Sequence, residues 1–298
     1  MATAVGNPTP QHAIRSQVSW FPIIWFSALV LLCYAPMLFS LARQWSEDQD
    51  MGHGFFVPLI AGWIVWRKRD ELLALGTHPN WWGLAVVAFA AIQLYIASLG
   101  AELFLARTAF VISIIGIVMT LGGTRWLRAL AFPLFLLFFM VPIPAILYNR
   151  LTFPLQLLAS QVAAAVLSAL QIPVLRDGNV LELADRQLSV VEACSGIRSL
   201  LSLSFLCLVY GYFFERRIGV RVLLFAAAIP VAIVANAGRV ALTGILTSVK
   251  PELAEGFFHT ASGWVIFMAA LTLLIGVHQG LTRAARFFHA RRQYAISH

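Results

Sequence analysis

The sequence predicts an all-α polytopic membrane protein with about eight transmembrane helices, by the length a bilayer demands. Three observations carry that expectation. Hydrophobic residues fill 60% of the 298 positions and charged residues only 11%, against roughly a quarter charged in a soluble domain. Apolar runs close to the ~20 residues that cross a bilayer recur from Trp20 to Val277. Basic blocks stand at the ends of those runs. Water is therefore not the main solvent, and residues 1–298 are expected to form a single integral membrane domain in contact with lipid. The net charge of +8 reads as an orientation signal, because no run pairs basic with aromatic residues on one polar face. No nucleic-acid partner is expected.

Taken in order, the apolar runs are Trp20 to Leu41, Phe55 to Trp66, Trp81 to Leu99, Leu103 to Leu121, Ala129 to Pro142, Ala145 to Leu170, Gly196 to Phe214, Val222 to Leu246 and Phe258 to Val277. Residues 1–18 lack the short apolar core and cleavage site of a signal peptide, so they read as an N-terminal cytoplasmic segment ahead of a retained first span. Arg67-Lys68-Arg69, Arg125 with Arg128, Arg216-Arg217 with Arg221, and the basic tail over 281–298 belong inside by the positive-inside rule. Arg107, near the outer end of the fourth run, reads as a snorkelling anchor.

Parity then demands an even number of crossings between Arg125 and Arg217, yet three apolar runs lie between them. The run over 145–170 is expected not to cross. Pro142 and Pro144 break the chain ahead of it, and Asn149, Thr152, Gln156, Ser160, Ala164 and Ser168 recur at spacings of three and four, the stripe of an amphipathic or re-entrant helix. Eight spans with both termini inside follow. Residues 171–193 form an extracytoplasmic loop. Within it Asp177-Gly178 is a turn signal between β-prone residues, predicting a small β-ribbon over 174–191.

Cysteine usage is sparse. Cys33, Cys194 and Cys207 are too few for a disulfide framework, and no paired Cys or His spacing calls for a metal. No His-Glu-x-x-His pair is present either. No cofactor is expected. Cys33 and Cys207 fall mid-span and read as small core residues.

Cys194 is different, because helical rise brings it level with two other reactive side chains. Counting from the cytoplasmic basic ends, Cys194 lies about 31 Å, Arg239 about 27 Å and His259 about 36 Å along their helices at 1.5 Å per residue. Each value approaches the roughly 30 Å hydrocarbon thickness. Cys194 opens a helix, where unsatisfied amides favour a thiolate. Arg239 is a costly charge inside an apolar run and could steady both the thiolate and an oxyanion. His259 could shuttle protons to and from an amine. Arg198, its plausible partner Glu192, Ser195, Asn236 and His53 are supporting candidates around this trio. One rival reading makes Ser195 and His259 an intramembrane serine peptidase dyad; another makes the chain a transporter or scaffold for exopolysaccharide export.

Several blocks resemble the exosortases, membrane-embedded transpeptidases related to archaeosortases. They are Glu192-Ala193-Cys194-Ser195-Gly196-Ile197-Arg198-Ser199, Asn236-Ala237-Gly238-Arg239, and Phe258-His259 with Gly263-Trp264. Gly52-His53-Gly54-Phe55 and Met140-Val141-Pro142-Ile143-Pro144 are similar too. The resemblance implies a cysteine protease and transpeptidase of the bacterial inner membrane, with its active site facing the periplasm. Its substrates would be exported proteins bearing a C-terminal motif such as Pro-Glu-Pro, then a transmembrane helix, then a basic cluster. It also implies Cys194 as nucleophile, Arg239 as stabiliser and His259 as acid and base.

Overall fold

A computed structural model describes residues 20–183, 186–190, 197–249 and 256–296. Helix dominates, and six helices are long and apolar enough to cross a membrane: Phe21–Glu47, Trp82–Leu99, Leu103–Ala129, Ala145–Ala169, Ile218–Val249 and Gly263–Arg286. The protein is thus a multi-pass membrane protein. Two shorter apolar helices, Ala131–Met140 and Ser199–Phe214, accompany them. The chain divides into two compact units, Met1–Asp48 with Gly52–Pro142, and Gln49–Met51 with Ile143–His298.

The first unit contains α1 (Trp20–Glu47), α2 (Phe56–Arg67), α3 (Arg69–Leu75), α4 (Trp82–Leu99), α5 (Leu103–Ala129) and α6 (Ala131–Leu136), the last continuing as a 3₁₀ turn over Leu137–Met140. Small residues let α4 and α5 approach closely, the usual way helices associate where lipid removes the hydrophobic drive. Gly83, Ala90 and Ala97 are buried at heptad spacing, and a Cβ on Gly116 would lie 2.7 Å from Val87 Cγ2. Polar side chains bond across the helices: Gln93 Nε2 donates to Thr108 Oγ1 at 2.7 Å, and Tyr34 of α1 meets Ser113 of α5 at 2.9 Å. Gly123 has φ +72°, and a side chain there would meet the His78 carbonyl, so only glycine fits this kink in α5. Lys68 Nζ donates to the Ala129 carbonyl at 2.8 Å, capping the end of α5. That bond gathers the Arg67-Lys68-Arg69 and Arg125/Arg128 blocks at one end of the unit, as the positive-inside reading requires.

Two expectations fail here. Arg107 does not snorkel: it is 4% exposed, packed inside the first turns of α5. Cys33 is exposed on α1, whereas Cys207 is buried as expected. Hydropathy of a run does not say which side of its helix faces protein, and Cys33 lies on the outer side.

The second unit contains α7 (Ala145–Ala169), strands β1 (Val174–Asp177), β2 (Val180–Leu183) and β3 (Arg186–Ser189), then α8 (Ile197–Phe214), α9 (Ile218–Val249) and α10 (Gly256–Ile296). The expected ribbon is a three-stranded antiparallel meander in the order β1-β2-β3. Asp177 pairs with Val180, so the two-residue loop is Gly178-Asn179, one position later than the Asp177-Gly178 signal suggests. Gly178 takes φ +58°, as the first central residue of a primed hairpin turn does.

The polar stripe of α7 has a different cause from the one its pattern suggests. Asn179 Nδ2 donates to Gln156 Oε1 at 3.1 Å and Ser160 Oγ to the Gly178 carbonyl at 2.9 Å. The stripe is where the hairpin turn docks, halfway along the helix. Beside it Ala159, Ala163 and Leu167 pack with Leu181, Val190, Ala237, Val240 and Ala241 in one apolar cluster. Along α7, Leu155 shares a small cavity with Asn236, while a Cβ on Gly244 would lie 2.9 Å from Leu167 Cδ1. Helices α7 and α9 therefore run parallel. A second cluster, with Leu203 and Cys207 of α8, Leu224 and Ala228 of α9, and Ala270 and Leu274 of α10, joins α9 to α8 and α10.

Candidate functional site

Arg239 is the described member of the expected trio, and its environment explains how a guanidinium sits in an apolar helix. It projects from α9 toward α10, where a Cβ built on Gly263 would lie 3.4 Å from Arg239 Cζ and Nη2 and 3.6 Å from Nε. The missing side chain at 263 leaves the backbone surface of α10 open to the flat guanidinium. His259 occupies the first turn of α10, four residues before Gly263, and residues at that spacing share a helix face. The charge and the histidine position are thus one turn apart on the same side of α10.

The start of α8 comes to the same level. Leu200 shares a cavity of about 10 Å³ with Leu155, Ala232, Ile233 and Asn236. Since α8 begins at Ile197, its first turn lies alongside the stretch of α9 leading from Asn236 to Arg239. Asn236 is 4% exposed and its Oδ1 has no hydrogen-bond partner among the described residues. A buried amide oxygen without a partner is costly, and this acceptor lies at the α8–α9 contact.

Other sequence candidates fall elsewhere. Cys194, Ser195 and Glu192 lie outside the described residues. Arg198 and His259 hold helical backbone positions, and their side chains lie outside what is described. His53 belongs to the first unit, where its Nε2 donates to the Phe139 carbonyl at 3.2 Å, beside Trp45 Nε1 donating to the Met140 carbonyl at 3.0 Å. Gly54 packs under the Trp45 ring, leaving no room for a side chain. These bonds tie the Gly52-His53-Gly54 block to the Met140 block and give His53 a structural role in that unit.

Sequence reasoning missed two features. Gly263 was legible only as part of a motif, not as the seat of a guanidinium. His278 and Glu215, a buried pair in the second unit 3.3 Å apart, were not paired at all, because 63 residues separate them and the histidine stands in an apolar run.

Neither the curated proteins nor the solved structures give a match to this chain. The transmembrane exosortase family (Exosortase_EpsH) matches residues 45–276, well over half of the sequence and spanning the cysteine, arginine and histidine blocks. The chain belongs to the transmembrane exosortase family.

Proposed function

We propose that this protein is a cysteine transpeptidase that cleaves the C-terminal sorting signal of exported membrane-anchored proteins and transfers them to an acceptor. The seating of Arg239 on Gly263, one turn from His259, carries the reading, because it brings an oxyanion stabiliser and a proton shuttle onto one helix surface. Cys194 supplies the nucleophile in this reading, standing three positions before Ile197 in the sequence, where α8 begins. The Cys194 thiolate attacks the scissile carbonyl. Arg239 faces the tetrahedral oxyanion. Collapse breaks the C–N bond, His259 gives a proton to the departing amine, and a thioester to Cys194 remains. The acceptor then loses its proton to His259, attacks the thioester and releases the Cys194 thiolate. Asn236, Arg198, Glu192 and Ser195 shape the surroundings of these three.

The same residues support a topology. Helix α7 runs parallel to α9, and α9 leaves the basic turn at Arg216-Arg217, so both run from inside to outside. The short Ala131–Met140 segment covers only about half a bilayer at 1.5 Å per residue. We therefore assign to α7 the crossing that the apolar pattern gives to Ala129 to Pro142. The count remains eight spans, both termini are cytoplasmic, and the ribbon and site face the periplasm of the inner membrane.

Coexpression with a substrate carrying a Pro-Glu-Pro motif, a transmembrane helix and a basic cluster tests the reading. The wild-type protein shortens the substrate and Cys194→Ala does not, while a covalent adduct dissolves in neutral hydroxylamine, as thioesters do. Processing that survives Cys194→Ala but not Ser195→Ala would establish the serine dyad instead. Processing in neither the wild type nor any variant would favour a non-enzymatic transport or scaffold role.

A further inference from the structure

At the end of the second unit remote from Arg239, the turn between α8 and α9 and the later part of α10 enclose a cleft of about 590 Å³. Tyr210, Phe214, Glu215, Arg216, Arg217, His278, Gln279, Thr282 and Arg286 line it. Its size suits a small polar group. What decides its chemistry is which charges are already engaged.

Glu215 is the one carboxylate in the lining, and both of its oxygens are occupied. Oε1 accepts from the Arg217 backbone N–H at 2.8 Å and Oε2 from His278 Nε2 at 3.3 Å. The carboxylate is turned into the protein, 9% exposed. Tyr210 closes the inner wall through a hydrogen bond of 3.0 Å between its hydroxyl and His278 Nδ1. Arg221, the neighbouring cation, is also committed, with Nε donating to the Glu215 carbonyl at 2.6 Å and its guanidinium over the Tyr212 ring.

Arg216, Arg217 and Arg286 differ. All three are exposed, and none makes an ion pair among the described residues. Three guanidinia converge on one opening while Glu215, the one carboxylate in the lining among the described residues, is spent. A cationic peptide would be repelled there, and a neutral ligand would leave the charges uncompensated. An anion with several acceptor oxygens matches them, since guanidinium forks pair with phosphate in two parallel bonds. The rim then says where the anion comes from. Phe214 and Ile218, 70% and 72% exposed, flank the arginines with bare apolar surface. Basic residues over exposed apolar helix are the arrangement found where a membrane's headgroup layer meets its acyl layer.

We propose that this cleft binds the phosphate of an anionic phospholipid headgroup, held by Arg216, Arg217 and Arg286 with the acyl chains lying along Phe214 and Ile218. The site is distinct from the reacting residues and does not depend on the transpeptidase reading. The full chain, purified in a neutral detergent, is heated with phosphatidylglycerol, with phosphatidylcholine of the same acyl chains, and with inorganic phosphate. Phosphatidylglycerol raises the unfolding midpoint by about 5 °C at saturation, the shift expected of a ligand bound well above its Kd. The other two raise it little. The increment disappears in the Arg216→Gln/Arg217→Gln/Arg286→Gln triple variant and persists in Arg67→Gln/Arg69→Gln. Native mass spectrometry of the wild type, which needs no variant to fold, retains one phosphatidylglycerol and no phosphatidylcholine. Equal shifts with both lipids, a shift with inorganic phosphate alone, or no retained anionic lipid each overturn the proposal.

Discussion

The guanidinium of Arg239 lies against the bare α-carbon of Gly263, with a virtual Cβ 3.4 Å from Cζ. That spacing is ordinary van der Waals contact for a methyl group and too small for anything larger. Gly263→Ala therefore keeps processing close to wild type, and removing glycine from a helix interior adds up to about 1 kcal/mol of stability. Gly263→Leu pushes the guanidinium off α10 and cuts substrate processing severely while the helices remain folded. Paired measurements of thermal midpoint and cleavage rate separate the two. Equal activity in the Ala and Leu variants would show that the seat of Arg239 is irrelevant to the chemistry.

Arg239→Lys tests shape against charge. Lysine keeps the positive charge but loses the planar fork of donors. If the guanidinium holds an oxyanion, the rate falls by about 100-fold or more, the cost of losing one oxyanion donor. The decline resides in kcat, with substrate binding little altered. Single-turnover cleavage in proteoliposomes reads it directly, and an unchanged rate would reduce Arg239 to a structural cation.

How much of this was legible in the sequence follows from what each signal measures. Apolar runs report the solvent, so the membrane class was readable, and the Lys68 to Ala129 bond brings two of the basic blocks to one end of their unit. Helical rise gives depth along one axis, which is why Arg239, the position of His259 and the start of α8 could be expected at one level. Periodicity reports a polar face without naming its neighbour. The stripe on α7 has the pattern of a helix facing an interface or cavity, whereas Gln156 and Ser160 bond the ribbon turn. Burial around Arg107, and the Glu215–His278 pair, depend on helix packing that no local pattern encodes.

The docking of the ribbon on α7 rests on a side-chain pair that a double-mutant cycle can isolate. Gln156 is 7% exposed and accepts from Asn179. Asn179→Ala strands the buried Gln156 and costs about 1–3 kcal/mol, while Gln156→Ala strands the half-buried Asn179 and costs less. The double variant costs less than the sum, with a coupling of about 1 kcal/mol. Because the ribbon precedes Cys194 directly, each single variant also speeds proteolysis at Arg176 and Arg186 in intact spheroplasts. Additive costs would mean that the hydrogen bond does not hold the ribbon in place.

Glu215 predicts an acid limit to stability. The Arg217 backbone N–H, donating to its carboxylate, holds it below the usual carboxylate range, with the His278 ring adding to the effect against the opposing cost of burial. A depressed folded value means that the unfolded chain takes up the proton first on acidification. The stabilisation is therefore complete above the ordinary carboxylate value of about 4.3 and is lost as pH falls through the lower folded value. Arg216, Arg221 and Arg286 stay charged throughout and do not contribute to this slope. In detergent, the thermal midpoint of the wild type should drop across that acid window, while Glu215→Gln, which carries no titrating proton, starts lower at neutral pH and shows a shallower fall. Parallel curves for the two proteins would show that the carboxylate between α8 and α9 is not what acid releases.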